Sequence, residues 1–235
     1  MQAPKFYEYK TEIISKEEPT QDHFIIRFKL LEPRTIDFVP GQFVQTMIEG
    51  IIKPASFSIA SSPEDKEEIE LAFKKIGQVT GALANMQLGD KTTLRAPLGR
   101  FTYTKEDGDV VALAGGVGIT PFICALRYLR DQKLPNKYTL FYSSKKKPGL
   151  LYFNELENMS KTHENLNVVF TTTDEQQENW PYETRRIDAD MIKEHVLDYK
   201  TRTYYICGSK EFIDAMIDNI TSLGVDQKQI RREIW

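Results

Sequence analysis

The sequence predicts a two-domain chain of the β plus α/β class, in which an N-terminal antiparallel β-barrel is followed by an α/β domain built on a parallel sheet. Roughly the first hundred residues consist of short strand-like segments separated by turns, whereas after about Thr104 strands alternate with helices. A length of 235 residues with 40% hydrophobic side chains suits one large domain or two small ones. We therefore expect a first domain over residues 1–104 and a second over 105–235.

The predicted barrel strands are rich in β-branched and aromatic residues. In chain order they are FYEYKTEIIS, HFIIRFKLL, QFVQTMIE, SFSIAS, IELAFKKI and KTTLRA. The turn-forming sequences EPRT, VPG, SSPEDKE and LGD separate them, and VTGALANMQ is the one short stretch with a helical pattern. Short strands at such regular spacing are typical of a small antiparallel barrel or sandwich.

The second half of the chain has the alternation of βαβ units. The predicted strands are DVVALAG, KYTLFYSS, NLNVVFTTT and RTYYICG, and the helices that follow them are ITPFICALRYLRDQ, LLYFNELENMS, DADMIKEHV and KEFIDAMIDNITSL. Strands alternating with helices in this way predict a parallel sheet. The polar turn YTKEDGD, residues 103–109, marks the predicted domain boundary.

The composition argues against several classes of protein. The 31 lysines and arginines balance 34 aspartates and glutamates, and neither half of the chain is a basic arm, so we expect no nucleic acid partner. Cys124 and Cys207 form no CxxC pair, and His23, His163 and His195 are scattered. A disulfide framework, a metal site and an iron–sulfur cluster held by this chain are therefore not expected. The first residues lack an apolar leader and no run approaches about 18 apolar residues, so we expect a cytoplasmic protein without a membrane span.

The sharpest local motif is AGGVGITPF, residues 114–122, which follows the apolar strand VVALA and opens a helix. Glycines in such a turn let the backbone approach a ligand closely, and the helix N-terminus offers unpaired N–H groups to a pyrophosphate. Pro121 suits the first helical turn, and Thr120 is expected to act as an N-cap or as a hydroxyl donor. The alternative is a tight turn without a ligand, and the spacing is not the GxGxxG of an ordinary Rossmann dehydrogenase.

A second turn of the same kind is GQVT, residues 77–80, between a predicted strand and the short helix. The backbone amides of residues 78–80 and the hydroxyl of Thr80 are candidates to hold another phosphate. The alternative is an N-cap that follows a glycine turn and binds nothing.

The strand SFSIASSP, residues 56–63, has one polar face. Alternation places Ser56 and Ser58 on one side of it, and Phe57 and Ile59 on the other. By itself this pattern is also that of any strand with one solvated face.

Two late segments also carry candidate groups. CGS, residues 207–209, follows an apolar strand at the carboxyl end of the predicted sheet, where open α/β sheets bind ligands. The sequence ends in REIW, which contributes Glu233 and Trp235. The alternatives are a small buried cysteine at Cys207 and an ordinary core or interface aromatic at Trp235.

In this order and spacing, these motifs resemble the ferredoxin-NADP reductase superfamily, in which a flavin-binding antiparallel barrel precedes a pyridine-nucleotide-binding α/β domain. The segments that carry the resemblance, over essentially the whole chain, are VPGQFV (39–44), SFSIAS, GQVT, APLGRF (96–101), GGVGITPF, RRIDADMI (185–192) and YYICGSKEFIDAM. The resemblance implies FAD and NADPH or NADH as cofactors, with the active site between the two domains.

The resemblance also implies roles for individual residues. Those on the flavin side are Phe57, Ser58, Ile59, Gly77, Val79 and Thr80. Ser58 is catalytic through a hydroxyl near flavin N5, Phe57 packs on the ring, and the last three hold the pyrophosphate. Those on the nucleotide side are Gly116, Gly118 and Thr120 at the pyrophosphate, with Gly208 beside Cys207 and Glu233, the two catalytic groups near nicotinamide C4. Trp235 is implied to cover the other face of the flavin as a lid that moves.

This sequence departs from the superfamily at the flavin strand. Where the superfamily usually has Arg-x-Tyr-Ser, residues 55–58 read ASFS, so Ala55 replaces the arginine that pairs a flavin phosphate and Phe57 lacks the tyrosine hydroxyl. Lys53, two residues upstream, is expected on the same strand face as a point charge without the fork of an arginine. We expect flavin binding to be weakened by about 10- to 100-fold.

The choice of nucleotide rests on YSSKKKPGLLY, residues 142–152. Ser143, Ser144, Lys145 and Lys146 stand where a ribose 2′-phosphate would lie, and no carboxylate is present there to bind a free 2′-hydroxyl. This favours NADPH over NADH. The alternative is a solvated lysine turn.

The implied function is a flavin-dependent NAD(P)H reductase that passes electrons through FAD to an iron–sulfur or haem protein such as a ferredoxin. Because two cysteines are too few for a cluster, we expect this acceptor to be a separate protein. Two alternatives stay open. One is a diaphorase or flavin reductase with a small-molecule acceptor, and the other is a flavin-free nucleotide-binding module of the same fold, which Ala55 and Phe57 favour.

Overall fold

The computed structural model describes residues 6–174 and 180–234, and the chain divides into two compact units. The first unit comprises the chain up to Tyr103 together with Ile123–Asp131. The second comprises Thr104–Phe122 together with the chain from Gln132 onward.

The first unit contains a six-stranded antiparallel sheet that curls into a nearly closed barrel. Its elements, in chain order, are β1 (Tyr7–Thr20), β2 (His23–Glu32), β3 (Phe43–Met47), β4 (Ala55–Ser58), β5 (Glu68–Lys74), α1 (Gln78–Asn85) and β6 (Lys91–Leu98). The strand order across the sheet is β4-β3-β6-β1-β2-β5, so β4 and β5 are its two edge strands.

Alternating side chains fill the interior of this barrel. In β2, Phe24, Ile26, Phe28 and Leu30 are buried at every second position, because successive side chains of a strand point to opposite faces. Burying each of them contributes roughly 1.5–3 kcal/mol. The hydrophobic core therefore fixes the register of the strands, since a slip of one residue would expose the whole set.

The second unit contains a five-stranded parallel sheet. Its elements are β7 (Val110–Gly115), α2 (Thr120–Asp131, whose part from Ile123 onward belongs to the first unit), β8 (Tyr138–Ser144), α3 (Phe153–Thr162), β9 (Leu166–Thr172), α4 (Ala189–His195), β10 (Thr203–Gly208), α5 (Lys210–Ser222) and β11 (Ile230–Ile234). The strand order is β11-β10-β7-β8-β9. The chain therefore places β8 and β9 on one side of β7 and returns to place β10 and β11 on the other, which makes the carboxyl end of β7 the switch point where open α/β sheets bind ligands.

The predicted fold class is confirmed, and the elements differ from the prediction in detail. β11 was not predicted, because IRREI has no apolar alternation and becomes a strand by pairing in parallel with β10. β1 runs on through the polar residues Glu17 and Glu18 to Thr20, because it forms a hairpin with β2 there. Among the described residues, no helix has both the length and the apolar character needed to cross a bilayer.

Candidate functional site

The β4 strand carries the predicted flavin-contact residues. Ser58 is half-buried and pairs in register with Phe43 of β3, and Ile59 follows it into the core. Phe57 points inward as the alternation predicts, and its ring lies 5.4 Å from that of Phe73, centroid to centroid. With 9% of its surface exposed, Phe57 is chiefly a core residue, and little of it is open to a ligand.

The structure corrects the expectation for Lys53. The strand begins at Ala55, and Lys53 lies in an exposed bend before it, so the alternation that was expected to place Lys53 on the face of residue 55 does not extend that far. Pro54, which has no backbone N–H to donate, separates the two positions. The lysine charge is therefore not fixed by the strand.

The turn before α1 presents backbone amides to solvent. Gly77 is exposed, and a Cβ added to it would meet nothing within 4 Å. The amides of the first helical turn, which include those of Gln78 and Val79, have no acceptor within the helix. Open space beside unpaired amides at the positive end of a helix suits a phosphate.

The hydroxyl of Thr80 has a different task from the one expected. It accepts hydrogen bonds from the amides of Ile76 and Gly77, at 3.0 and 2.9 Å, and donates to the Gly77 carbonyl at 3.1 Å. The side chain is buried and closes the turn on itself. A phosphate at this turn would therefore bind to backbone amides, and the Thr80 hydroxyl would stabilise the turn that presents them.

Lys16 of β1 fastens the other end of α1. Its ammonium group donates to the carbonyl oxygens of Ala84 and Met86, at 2.6 and 2.8 Å, and lies 5.6 Å from the centre of the Phe24 ring. A positive charge at a helix C-terminus complements the helix dipole. The short helix is thus anchored at both ends, with its N-terminus facing solvent.

The second glycine turn, in the α/β unit, is built differently. Residues Gly116–Ile119 form a single 3₁₀ turn that leads directly into α2. Gly116 has φ = +56°, a left-handed conformation that favours glycine, and a Cβ there would meet nothing within 4 Å. Gly118 is buried, and a Cβ there would overlap the carbonyl of Cys207. Gly116 therefore leaves open space for a ligand, whereas Gly118 is required by the close approach of β10.

Thr120 is not an N-cap. Because the 3₁₀ turn continues into α2 without a break, Thr120 already has helical angles, φ = −56° and ψ = −47°. Its hydroxyl donates to the Val117 carbonyl at 3.2 Å and is buried. The same carbonyl also accepts from the Thr120 amide, so the hydroxyl adds a second bond to one that the backbone already makes.

Phe212, in the first turn of α5, was not among the predicted site residues. Its ring would lie 3.0 Å from a Cβ at Gly115 and 2.7 Å from a Cβ at Gly208. The ring therefore occupies the space that side chains would take at the carboxyl ends of β7 and β10. The run CGSKEF contains a sequence signal for this placement. Ser209 is a favoured N-cap residue, and a cap there puts Phe212 in the first turn of α5; in the structure the Ser209 side chain accepts from the Phe212 amide.

Cys207 and Glu233 lie next to each other on neighbouring strands. They are register partners in the parallel pair of β10 and β11, and β10 is in turn paired with β7, where Cys207 faces Ala114. Cys207 is 1% exposed and Glu233 is half-buried. Trp235, the predicted lid, lies outside the described residues.

The lysine turn after β8 is held by buried groups. The Tyr142 hydroxyl accepts from the Leu151 amide at 2.9 Å and donates to the Gly149 carbonyl at 3.3 Å, and its burial raises the pKa of this phenol. Ser144 is half-buried against Gly149, whereas Lys145 and Lys146 are exposed. The ammonium groups are therefore available to an anion.

A carboxylate also lies at this turn, although none follows β8 in the sequence. The amide of Asp174, just after the neighbouring strand β9, donates to the Lys145 carbonyl at 2.9 Å, and the Asp174 side chain accepts from the Thr173 hydroxyl at 3.3 Å. Asp174 is exposed. The expectation that no carboxylate lies beside this turn is therefore wrong, because parallel strands bring together residues that are far apart in the chain.

Comparison with known proteins identifies both halves of the chain. A model of the oxidoreductase FAD-binding domain matches residues 10–103, and a model of the oxidoreductase NAD-binding domain matches residues 112–218. The reductase component of propane 2-monooxygenase from Mycolicibacterium goodii is 26% identical over 230 residues, which cover 94% of this chain and 66% of that protein. Human NADH-cytochrome b5 reductase 2 is 27% identical over 256 residues, which cover 94% of this chain and 93% of that protein.

Solved structures share the fold. The flavohem-like FAD/NAD-binding domain of nitric oxide dioxygenase from Vibrio cholerae superposes with a TM-score of 0.86 at 20% identity, covering 97% of this chain and 98% of that one. A ferredoxin-NADP⁺ reductase from Neisseria gonorrhoeae, solved with bound FAD and NADP, superposes with a TM-score of 0.81 at 22% identity and covers 99% of both chains.

Proposed function

We propose that this chain, a member of the ferredoxin-NADP reductase superfamily, is the reductase of a multiprotein redox system. The premise is that it is a flavin-dependent NAD(P)H oxidoreductase with FAD and a nicotinamide dinucleotide as cofactors. In this proposal it draws electrons from NADPH and delivers them singly to an iron–sulfur or haem protein such as a ferredoxin. The observation that carries the proposal is the presence of two glycine turns with open space beside helix amides, one in each unit.

On the barrel, the residues present fit a dinucleotide. When bound, FAD supplies the exchange between hydride transfer and single-electron transfer. The amides of Gln78 and Val79 would hold its pyrophosphate, with Thr80 and Lys16 keeping α1 in place. Ser58 would offer its hydroxyl to the ring, and Phe57 would support it.

On the α/β unit, the open space at Gly116 would receive the pyrophosphate of the nicotinamide dinucleotide. Cys207 and Glu233, adjacent in register, would line the place of the nicotinamide ring. A buried thiol contributes shape and excludes water, while the half-buried carboxylate of Glu233 can accept a hydrogen bond.

The metal centre of the acceptor lies outside these 235 residues, since two cysteines cannot ligate an iron–sulfur cluster that requires four thiolates. The names of the relatives support a protein acceptor. The propane 2-monooxygenase relative is a reductase component, and the human relative is a reductase named for cytochrome b5.

Anaerobic titration of the FAD-loaded protein tests the proposal. We expect the flavin absorbance to bleach on addition of NADPH and to recover when an oxidised ferredoxin or cytochrome is added. A variant with a carboxylate in the open space, Gly77→Glu, should lose FAD through charge repulsion, whereas Asn85→Glu at the far end of α1 should keep it. A protein that takes up no flavin, or a flavin that neither NADPH nor NADH reduces, would refute the proposal.

The acceptor class is tested by turnover. Protein-linked electron transfer predicts a higher kcat/KM with ferredoxin-like or haem proteins than with free FMN. A preference for free FMN would favour the diaphorase or flavin reductase alternative.

We infer NADPH as the electron donor from the exposed Lys145 and Lys146. Asp174 at the same edge favours NADH instead, because a carboxylate can accept hydrogen bonds from a free 2′-hydroxyl and repels a 2′-phosphate. The name of the human relative, an NADH-cytochrome b5 reductase, also favours NADH. The double variant Lys145→Ala/Lys146→Ala should lower kcat/KM for NADPH and leave that for NADH unchanged, and Asp174→Asn should raise it for NADPH. Lys200→Ala, an exposed lysine that precedes β10 at the other end of the sheet, is the matched control. A wild-type kcat/KM that favours NADH would reverse the inference.

A further inference from the structure

The barrel is closed at a seam between its two edge strands, β4 and β5. Just past the end of β4, the Ala60 amide donates to the Glu70 carbonyl of β5 at 2.8 Å, and the Glu70 amide donates to the Ser61 hydroxyl at 3.1 Å. No ladder of backbone hydrogen bonds joins β4 to β5 within the described residues. The closure of the barrel therefore depends on a few bonds around Ala60 and Glu70.

A buried arginine from α2 spans this seam. The Arg127 guanidinium donates to the Ala60 carbonyl at 2.8 Å and to Oε1 of Glu70 at 2.7 Å, so that one side chain bonds to both edges. Arg127 is 8% exposed and Glu70 is 5% exposed. Arg27 of β2 occupies the other carboxylate oxygen of Glu70, at 2.7 Å. A second link from the same segment to α2 is the bond from the Ser62 hydroxyl to Asp131, at 2.6 Å.

Glu70 is ionised in its pair with the two arginines. Burial acts to raise the pKa of Glu70, but the charges and hydrogen bonds of Arg127 and Arg27 outweigh it and hold this pKa below its usual value. Taking such charges out of water carries a desolvation cost that apolar residues of similar volume would avoid. Apolar packing, however, would supply no directional bond to both strands, whereas Nη1 of Arg127, whose two N–H groups have fixed directions in the planar guanidinium, donates to both.

The two strands that meet at the seam lead to the two parts of the barrel that face the flavin in the proposed function. β4 carries Ser58 two residues before Ala60, and β5 leads into the Gly77 turn that starts α1. We propose that Arg127 is a positioning residue for FAD: it fixes the spacing between the strand that contacts the flavin ring and the turn that binds the pyrophosphate. This proposal rests on the proposed function, since it takes FAD to bind at these two segments.

The test compares two buried arginines. Arg127→Met removes the link across the seam, and Arg127→Lys keeps the charge but not the planar guanidinium that directs both bonds. The matched control is Arg202→Met, because Arg202 is 5% exposed and is paired with Asp198 and Asp109 in the other unit. Flavin affinity is measured by the quenching of FAD fluorescence, and backbone opening by hydrogen exchange of the peptide covering residues 55–62 in the flavin-free protein.

We expect Arg127→Met to raise the Kd for FAD about tenfold, because the strand that contacts the flavin ring and the turn that binds the pyrophosphate are no longer held at one spacing. Exchange of the Ile59 and Ala60 amides should become faster in the same variant without flavin present, because the Ala60 amide donates across the seam to Glu70 and the adjacent Ile59 amide donates to Gln42 beside β3. Arg127→Lys should recover part of both effects. Arg202→Met should lower the melting temperature and leave both measurements at their wild-type values.

A fourth variant separates positioning from folding. Arg127→Met alone leaves the Glu70 carboxylate with Arg27 as its only described ion-pair partner, whereas Arg127→Met/Glu70→Gln removes the buried pair together and should recover stability. If the proposal is right, this double variant still binds FAD more weakly than wild type. Wild-type affinity and wild-type exchange in the double variant would overturn the proposal, as would equal losses of affinity in the Arg127 and Arg202 variants. Failure of the wild-type protein to bind FAD would instead refute the proposed function.

Discussion

The two units hold their ligand-facing turns by different means. In the barrel unit, polar side chains do the holding: the Thr80 hydroxyl closes the turn, Lys16 anchors α1, and Arg127 joins the edge strands, while Gly77 faces open space. In the α/β unit, close backbone packing does it, since Gly118 lies against the carbonyl of Cys207. The barrel unit should therefore be sensitive to the loss of polar groups and to acid, and the α/β unit to added volume.

The largest expected effect tests the polar side of this comparison. Glu70→Gln should lower the free energy of unfolding by about 3 to 5 kcal/mol, because it leaves the Arg127 guanidinium buried without its charge partner. A carboxyl with a lowered pKa stabilises the folded state above its ordinary value of 4.5, and this stabilisation is lost as the pH falls through the lower folded value. The difference in unfolding free energy between wild type and variant, measured by urea denaturation, should thus be constant above about pH 5 and shrink below it. A pH-independent difference would contradict the ion pair.

The next effect tests the volume side. Gly118→Ala places a methyl group inside the Cys207 carbonyl, so the turn or β10 has to shift, and we expect a loss of about 3 kcal/mol in the free energy of unfolding. Gly116→Ala, in the same turn, meets no atoms and carries only the cost of its left-handed backbone, about 1 to 2 kcal/mol. Equal losses in the two variants would show that contact with β10 does not determine how much stability a substitution in this turn removes.

A smaller effect compares the two threonines. Thr80→Val removes a hydroxyl that accepts from two amides, and should cost about 1 kcal/mol, the value of a helix cap. Thr120→Val should cost less than about 0.5 kcal/mol, because the Val117 carbonyl still accepts from the Thr120 amide. Thermal unfolding of the two Thr→Val variants measures the difference in stability loss. A larger loss for Thr120→Val than for Thr80→Val would contradict the contrast between the two units.

The smallest expected effect on stability is at Gly77. Gly77→Ala adds a methyl group to open space at φ = −153°, an extended backbone that any residue adopts, and should change the free energy of unfolding by less than about 0.5 kcal/mol. In contrast, FAD affinity should fall, because the methyl group stands where the phosphate is proposed to bind. Equilibrium dialysis with FAD checks this, and an unchanged affinity would place the pyrophosphate elsewhere.

Most of the fold follows from patterns within the chain. The alternation of Phe24, Ile26, Phe28 and Leu30 and the buried run of β7 are local signals, and both elements form where they were predicted. β11 depends on its partner instead, since Ile230–Ile234 has no pattern of its own and gains its hydrogen bonds from β10. A local pattern of residues does not predict that a segment will pair with a strand from a distant part of the chain.

The site was predicted in part for the same reason. The glycine turns form at the two segments that the motifs marked, and the ligand roles expected for Cys207 and Glu233, which are register partners, stay predictions. Arg127 and Asp174 were missed, because their partners are far away in the chain. A signal for Arg127 exists nevertheless: it lies four residues after Ile123 and three after Cys124, on the apolar stripe of α2, where a charged residue needs a buried partner.

The close approach of Gly118 to the Cys207 carbonyl also bears on how the chain folds. The glycine turn lies near the middle of the 235 residues, but β10, which packs against it, is synthesised much later, after β8 and β9 have been added on the other side of β7. Contacts between such distant segments are slow to form, because a long loop has to close first. During translation the turn therefore cannot form its contact with β10 until β10 has been made. The α/β unit can complete its native packing only when most of the chain has left the ribosome.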